Sequence, residues 1–163
     1  MTRLILGAAF LFGLTASAWA GLPGTSADGA GVDPAAAFRH WLQHAVRGNA
    51  VAQFELGKAY AGGRSLPEDL AEAARWFHKA AVQGHVRAQY NLAILYRNGL
   101  GVRRNDVRAH VWFSLAAAGF GYGLRHDRAA RMRDHIAAHL SPAERAKAER
   151  LVRTMTLMFD AGF

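Results

Sequence analysis

The sequence predicts an all-α fold, an α-solenoid of about seven helices built from helix-turn-helix units. The composition is apolar enough for a real core, with 52% hydrophobic residues, and only four prolines interrupt its 163 residues, which favours helix. Residue types recur with a spacing of 36 residues, a period typical of stacked helical pairs. Helix caps and helix breakers stand at the boundaries that this spacing sets.

The N-terminal segment, residues 1–20, has the layout of a secretory signal peptide. It has one early arginine, then an uncharged apolar stretch, and then the small-x-small triplet Ala18-Trp19-Ala20. We expect cleavage after Ala20 and a mature protein in the periplasm or secreted. The alternative is an uncleaved anchor, because the apolar run over residues 4–20 is at the short limit for spanning a bilayer. No other segment of the sequence is expected to cross a membrane.

A flexible lead-in, residues 21–32, and a first helix, residues 33–48, are expected next. The lead-in is rich in glycine, alanine and serine. Asp33 and Pro34 suit the N-cap and first helical positions, and Gly48 ends the helix. Because Ala45 and Gly48 precede similar residues by 36 positions, we interpret this helix as a half repeat that caps the N-terminal end.

Two in-register units follow, over residues 49–84 and 85–120. Each is predicted to contain a helix A, a glycine-rich turn, a polar cap and a helix B. Small residues at matching positions let the helices cross closely, and large ones fill the gaps between them. The matching pairs are Ala52 and Ala88, Leu56 and Leu92, Tyr60 and Tyr96, Gly63 and Gly99, Ala73 and Ala109, Trp76 and Trp112, and Ala80 and Ala116.

The remaining residues, 121–163, are predicted to form two capping helices that match the repeat poorly. Ser141 to Glu144 has the spacing of a capping box, with Pro142 in the first turn. The last helix is expected to turn one apolar stripe inward. The residues assigned to that stripe are Leu151, Val152, Met155 and Met158.

These motifs resemble the Sel1-like repeat (SLR), a subfamily of the tetratricopeptide-type helical repeats. In the first unit the pattern reads Ala52, Leu56-Gly57, Tyr60, Gly62-Gly63, Asp69, Ala73, Trp76, Ala80-Ala81 and Gly84. The second unit departs from it mildly, with Ala93 in place of glycine and Asn105 in place of aspartate. The resemblance covers residues 45–119, and it implies a right-handed solenoid of the kind that supplies adaptors for protein–protein interaction.

Charge is concentrated in the second half of the chain. Residues 21–85 contain six Lys/Arg and six Asp/Glu, whereas residues 86–163 contain thirteen Lys/Arg and six Asp/Glu. A basic surface attracts acidic proteins, anionic lipid or wall polymer, although it also serves simply to keep a protein soluble. Nucleic acid is not expected as a partner because the protein is expected to be exported.

No catalytic arrangement stands out, and we expect neither an enzyme nor a cofactor. The chain has no cysteine, so thiolate chemistry and zinc–thiolate sites are excluded. His40 with His44, and His135 with His139, have the i,i+4 spacing of metal ligands, but no acidic cluster near either pair supplies a third ligand, so we interpret them as ordinary histidines of helix surfaces. A cell-wall hydrolase stays as a third hypothesis, without nominated catalytic residues.

The resemblance places helix A of each unit on a concave face. The residues carried to that face by helical phase are Phe54, Lys58, Arg87, Tyr90, Ile94 and Arg97. Aromatic and basic groups suit an extended acidic or amphipathic segment of a protein partner. Packing of Phe54 and Tyr90 against the neighbouring repeat is the alternative. The leading hypothesis is a periplasmic adaptor or regulator, and the second is an envelope-binding module that uses the basic half.

Overall fold

The computed structural model describes residues 33–62 and 67–162, which form seven α-helices and no strand. The predicted signal peptide, the lead-in and part of the first A-to-B turn, including Gly63, lie outside the described residues. The helices are α1 (Pro34–Ala45), α2 (Ala50–Gly62), α3 (Leu70–Ala81), α4 (Val86–Asn98), α5 (Asp106–Phe120), α6 (Leu124–Ala137) and α7 (Pro142–Asp160). In this part of the chain no helix has both the length and the apolar character that crossing a bilayer needs.

Consecutive helices from α1 to α6 pack against one another in order. Because short turns join them, each helix runs antiparallel to the one before it. The largest fully buried side chains lie between the paired helices: they are Leu56, Phe77, Leu92, Leu95 and Phe113. The all-α solenoid predicted from the sequence is therefore confirmed.

The odd-numbered helices start at a constant spacing. They begin at Pro34, Leu70, Asp106 and Pro142, each 36 residues after the one before. A polar side chain immediately before each of them accepts a hydrogen bond from a first-turn amide, which satisfies one otherwise unpaired donor. These N-caps are Asp33 (2.9 Å to the Ala35 amide), Asp69 (2.9 Å to Glu72), Asn105 (2.9 Å to Arg108) and Ser141 (3.3 Å to Glu144).

Two buried glutamines, also 36 residues apart, join each helix A to the helix before it. The Gln53 Nε2 donates to the Ala45 carbonyl at 3.1 Å, and the Gln89 Nε2 donates to the Ala81 carbonyl at 3.2 Å. Each carbonyl also accepts a hydrogen bond at 3.0 Å from the amide of the glycine three residues later, Gly48 or Gly84. The glutamine is thus a second donor to the end of the preceding helix, and the bond pairs its own buried amide group.

The last helix keeps the spacing of the repeat but packs differently from α3 and α5. It lies mainly against α5, which is also covered by α4 and α6. The sequence of α5 reflects this cover, because Val111 and Leu115 are buried where α3 has the exposed Arg75 and Lys79 at equivalent positions. The exchange of basic for apolar residues marks helix B of the second unit as an enclosed helix.

The inward stripe of α7 differs from the predicted one. Val152, Met155 and Phe159 pack against the core, and Ala148 is fully buried. Their spacing of four, three and four residues keeps them on one face of a helix. The inward assignment of Leu151 and Met158 is wrong, because both side chains are exposed; they stand about 100° away around the helix from their buried neighbours.

His110 is a buried polar residue inside this enclosure, and its Nδ1 has no hydrogen-bond partner in the described structure. Its equivalent in the first unit is Ala74. Burial lowers the pKa of His110, and the positive charge of Arg133 lowers it further. The folded protein therefore holds this imidazole neutral.

Gly101, in the turn between α4 and α5, touches the start of α3. Its φ is +65°, and a Cβ at this position would lie 2.1 Å from the Leu70 carbonyl carbon. We expect Gly101→Ala to lower the free energy of unfolding by about 2 kcal/mol or more, from left-handed strain and the backbone clash. Urea unfolding monitored by circular dichroism measures this loss of free energy.

Gly62→Ala is the matched control, because open space surrounds Gly62. This variant should leave stability unchanged or raise it by about 0.5 kcal/mol. Equal losses in both variants would contradict this account.

Stability should fall as the pH drops below about 6.5, the pKa of an unfolded histidine. In that range the unfolded chain binds a proton at residue 110 that the folded chain does not, so acid favours unfolding. His78 and His85 also have lowered pKa values, with burial as the first cause. His110→Leu should therefore reduce, without abolishing, the decrease in Tm between about pH 7.5 and pH 5. The exposed control His139→Leu should leave that decrease unchanged; the reverse pattern would show that His110 is not the group responsible.

Candidate partner-binding face

The six residues predicted for a binding face lie on α2 and α4, and two of them are core residues. Phe54 is 2% exposed and Ile94 is 8% exposed. The Phe54 ring stacks on the His85 imidazole, with 4.5 Å between centroids, and lies 5.9 Å from the Phe77 ring. These contacts favour the packing alternative for Phe54. Its ring lies beneath the surface and has almost no exposed area with which to contact a partner.

Lys58 is held by its own helix. Its Nζ lies 2.6 Å from the Glu55 carboxylate and 5.4 Å from the centroid of the Phe54 ring. The Lys58 side chain is only 14% exposed, so the pair is substantially shielded from water. Its charge is therefore neutralised locally.

Arg87 is the exposed cation at the start of α4. Its guanidinium carbon lies 4.9 Å from the Phe54 ring centroid, within the range of a cation–π contact. Beside it, the His85 Nδ1 accepts a hydrogen bond from the Ala88 amide at 3.2 Å and caps the helix. Burial, and next the charge of Arg87, lower the pKa of His85, which keeps the ring in the neutral form that can accept this bond.

Tyr90 is half-buried on α4. Its ring packs edge-on against Phe113 at 5.4 Å, and burial raises the pKa of its hydroxyl, while the charges of Arg128 and Arg97 oppose that rise. The Arg97 Nη1 also donates to the Met132 Sδ of α6 at 2.8 Å, and a thioether is a weak acceptor.

Three cations belong to these helices: Arg87 and Arg97 lie near opposite ends of α4, and Arg128 lies on α6. Within the described residues none of them forms an ion pair with a carboxylate. Arg128 is missing from the predicted face because α6 lacks the repeat motif, so its helical phase could not be carried over. No sequence signal finds it, because the contact of Met132 with Arg97, one turn after Arg128 on α6, is known only from the structure.

The paired histidines are near each other in space but form no recognisable metal site. The His40 and His44 rings are 4.7 Å apart, and the His135 and His139 rings are 4.9 Å apart. The His139 Nδ1 lies 2.8 Å from the His135 carbonyl oxygen, so that nitrogen is already engaged. Among residues 33–62 and 67–162, no three candidate ligands come together around a common point.

Comparison with known proteins identifies the repeat. The family model of the Sel1 repeat matches residues 50–85 and again residues 86–119. A comparison with curated protein sequences gave no match. Among solved structures, the chain resembles a protective antigen of uropathogenic Escherichia coli with an SLR fold, at 31% identity and a TM-score of 0.65, over 72% of this chain and 24% of that one. It also resembles a Sel1 repeat protein from Oxalobacter formigenes, at 34% identity and a TM-score of 0.52, over 56% of this chain and 35% of that one.

The chain thus spans about a quarter and a third of the lengths of these two structures. Both likenesses extend beyond the two matched repeats, since 72% and 56% of this chain exceed the residues that the family model covers. Sequence motifs and fold therefore agree. The protein contains two Sel1 repeats and has the helical solenoid fold of Sel1-like repeat proteins.

Proposed function

We propose that this protein is a non-enzymatic adaptor that binds an extended acidic segment of a protein partner along the face formed by α2, α4 and α6. Sel1 repeats are generally protein-interaction modules, and proteins built from them are typically scaffolds without catalytic activity. The observation that carries the more specific proposal is that three arginines of α4 and α6, Arg87, Arg97 and Arg128, have no carboxylate partner in the described structure.

The chemistry of the face suits carboxylates. Guanidinium groups pair with carboxylates in bidentate geometry and are weakly hydrated, so they bind at low desolvation cost. The Tyr90 hydroxyl, on the same helix as Arg87 and Arg97, adds a hydrogen-bond donor. The aromatic platform of Phe54 holds Arg87 in place, which reduces the side-chain entropy lost on binding.

Reversing the free charges tests the face. A fluorescein-labelled peptide of alternating glutamate and alanine serves as the probe, and fluorescence anisotropy at low salt measures its binding. Arg87→Glu combined with Arg97→Glu should weaken binding at least about tenfold, because two attractive contacts become repulsive. Lys58 is left unchanged, since a carboxylate there would stand beside Glu55 and destabilise the fold for another reason.

The matched control is Arg103→Glu combined with Arg150→Glu, which changes the net charge equally at exposed arginines elsewhere. That control should weaken binding less than about threefold at low salt, through the long-range field alone. Equal losses in the two double variants would mean that the peptide senses only net charge, and the proposed face would be wrong. Circular dichroism confirms that both variants are folded.

We also propose that the adaptor works outside the cytoplasm, after cleavage of residues 1–20. The support is the small-x-small triplet that ends the apolar N-terminal stretch. Expressed in a Gram-negative host, the protein should appear in the periplasmic fraction with a mass that begins at Gly21. Ala20→Arg should block cleavage and leave the protein with the membranes. Absence of the unaltered chain from the periplasmic fraction would contradict the proposal.

A further inference from the structure

Exposed apolar side chains gather at one edge of the solenoid. Because successive helices are antiparallel, the turns α1–α2, α3–α4 and α5–α6 share an edge, and the remaining turns share the opposite one. Gly119 near the end of α5 packs against Val86 at the start of α4, and Phe159 near the end of α7 approaches Gly84. The C-terminal end of α7 therefore belongs to the first edge, which we call the apolar edge.

Seven of the eight large apolar residues that are exposed in the described structure lie on this edge, and only Leu151 lies elsewhere. The seven are Val46, Val51, Val82, Tyr122, Leu124, Leu157 and Met158. Single exposed apolar residues are ordinary on a protein surface. Their concentration at three successive turns and one helix end is not ordinary, and it marks an interaction surface.

The α5–α6 turn carries the most exposed of these side chains. Tyr122 is 102% exposed and Leu124 is 86% exposed, so the rest of the protein covers neither side chain. Gly121 and Gly123 flank Tyr122 with φ values of +65° and +113°, which side-chain-bearing residues rarely adopt. This glycine pair fixes a turn whose tip is an aromatic ring with a polar end.

Basic residues lie beside apolar residues along this edge. Arg47 follows Val46, Arg87 follows Val86, and Arg125 follows Leu124, and all three arginines are exposed without a carboxylate partner in the described structure. The acidic residues at this edge are Asp127, which is 3.1 Å from the His126 Nδ1, and Asp160 at the end of α7. Cations that are free to bind anions therefore lie between the exposed apolar side chains of this edge.

We infer that the apolar edge docks on the surface of an anionic lipid bilayer. Tyrosine and leucine side chains partition into the boundary between headgroups and acyl chains, while arginines bind the lipid phosphates above it. A purely acidic protein segment would satisfy the arginines but leave the exposed leucines and Tyr122 in water, and a second copy of this chain docked with two-fold symmetry would bring arginines against arginines. A bilayer satisfies both kinds of side chain, and each arginine near an anionic surface strengthens binding about fivefold.

Single cysteines test which edge meets the membrane, since the chain has none of its own. Tyr122→Cys and Leu157→Cys place an environment-sensitive fluorophore on the apolar edge, and Arg103→Cys places it on the opposite edge. The chain beginning at Gly21, which is the form expected after cleavage, is mixed with vesicles of equal parts phosphatidylglycerol and phosphatidylcholine, so that the apolar N-terminal stretch contributes nothing to attachment. A blue shift at residues 122 and 157, with none at residue 103, supports the inference.

Charge variants supply the second arm of the test. Arg47→Gln combined with Arg125→Gln should weaken sedimentation with these vesicles by about tenfold or more. The control, Arg103→Gln combined with Arg104→Gln on the opposite edge, should change it less than about threefold. Arg87 is left unaltered because it also belongs to the proposed peptide-binding face, so the two proposals fail or succeed separately.

Three results would overturn the inference. The first is equal probe shifts at both edges or at neither, and the second is equal weakening by the two pairs of arginine variants. The third is a blue shift that grows with protein concentration in the absence of vesicles, which would identify a second copy of the chain as the occupant of the edge.

Discussion

A spacing of 36 residues between helix starts is the constraint on which this structure depends. Every helix that follows an A-to-B turn must begin at a polar cap, and the four caps keep that interval from Asp33 to Ser141. The interval fixes the rotational phase of each helix relative to the preceding one. Alanines without exposed surface, such as Ala52 and Ala88, can then meet the neighbouring backbone, and the buried glutamines can reach the helix end before them.

Much of the fold could be predicted because this constraint leaves local signs in the sequence. Caps, glycines and matched aromatic residues each report on a few neighbouring positions. The packing of α7 could not be predicted in this way, because its cap keeps the interval while its neighbours change. The sequence does differ where the packing differs, because Val111 and Leu115 of α5 replace Arg75 and Lys79 of α3. This difference indicates an enclosed helix only once both pairs are known to occupy the same positions in the repeat.

The candidate face was less predictable than the fold, and the reason is physical. Helical phase indicates the direction in which a side chain points from the helix. Whether a partner can reach that side chain depends on the other residues that it contacts. Lys58 meets Glu55, and Phe54 meets His85 and Arg87, so neither is free. Arg128 belongs to the face through a tertiary neighbour on another helix. Arg87 lies where the proposed peptide-binding face and the apolar edge adjoin, which places the two surfaces next to each other on one rigid support.

The enclosure of α5 limits how arrays of this kind can grow. A duplicated copy of residues 49–84 would present Arg75 and Lys79 on its outer face, and water solvates them wherever the copy stands. A duplicated copy of residues 85–120 would add a second Val111, Leu115 and His110. Because α7 packs against one helix B only, these side chains would lack its cover in one of the two copies. Lengthening that keeps every apolar helix B enclosed would therefore repeat the first unit, whose helix B carries the exposed Arg75 and Lys79.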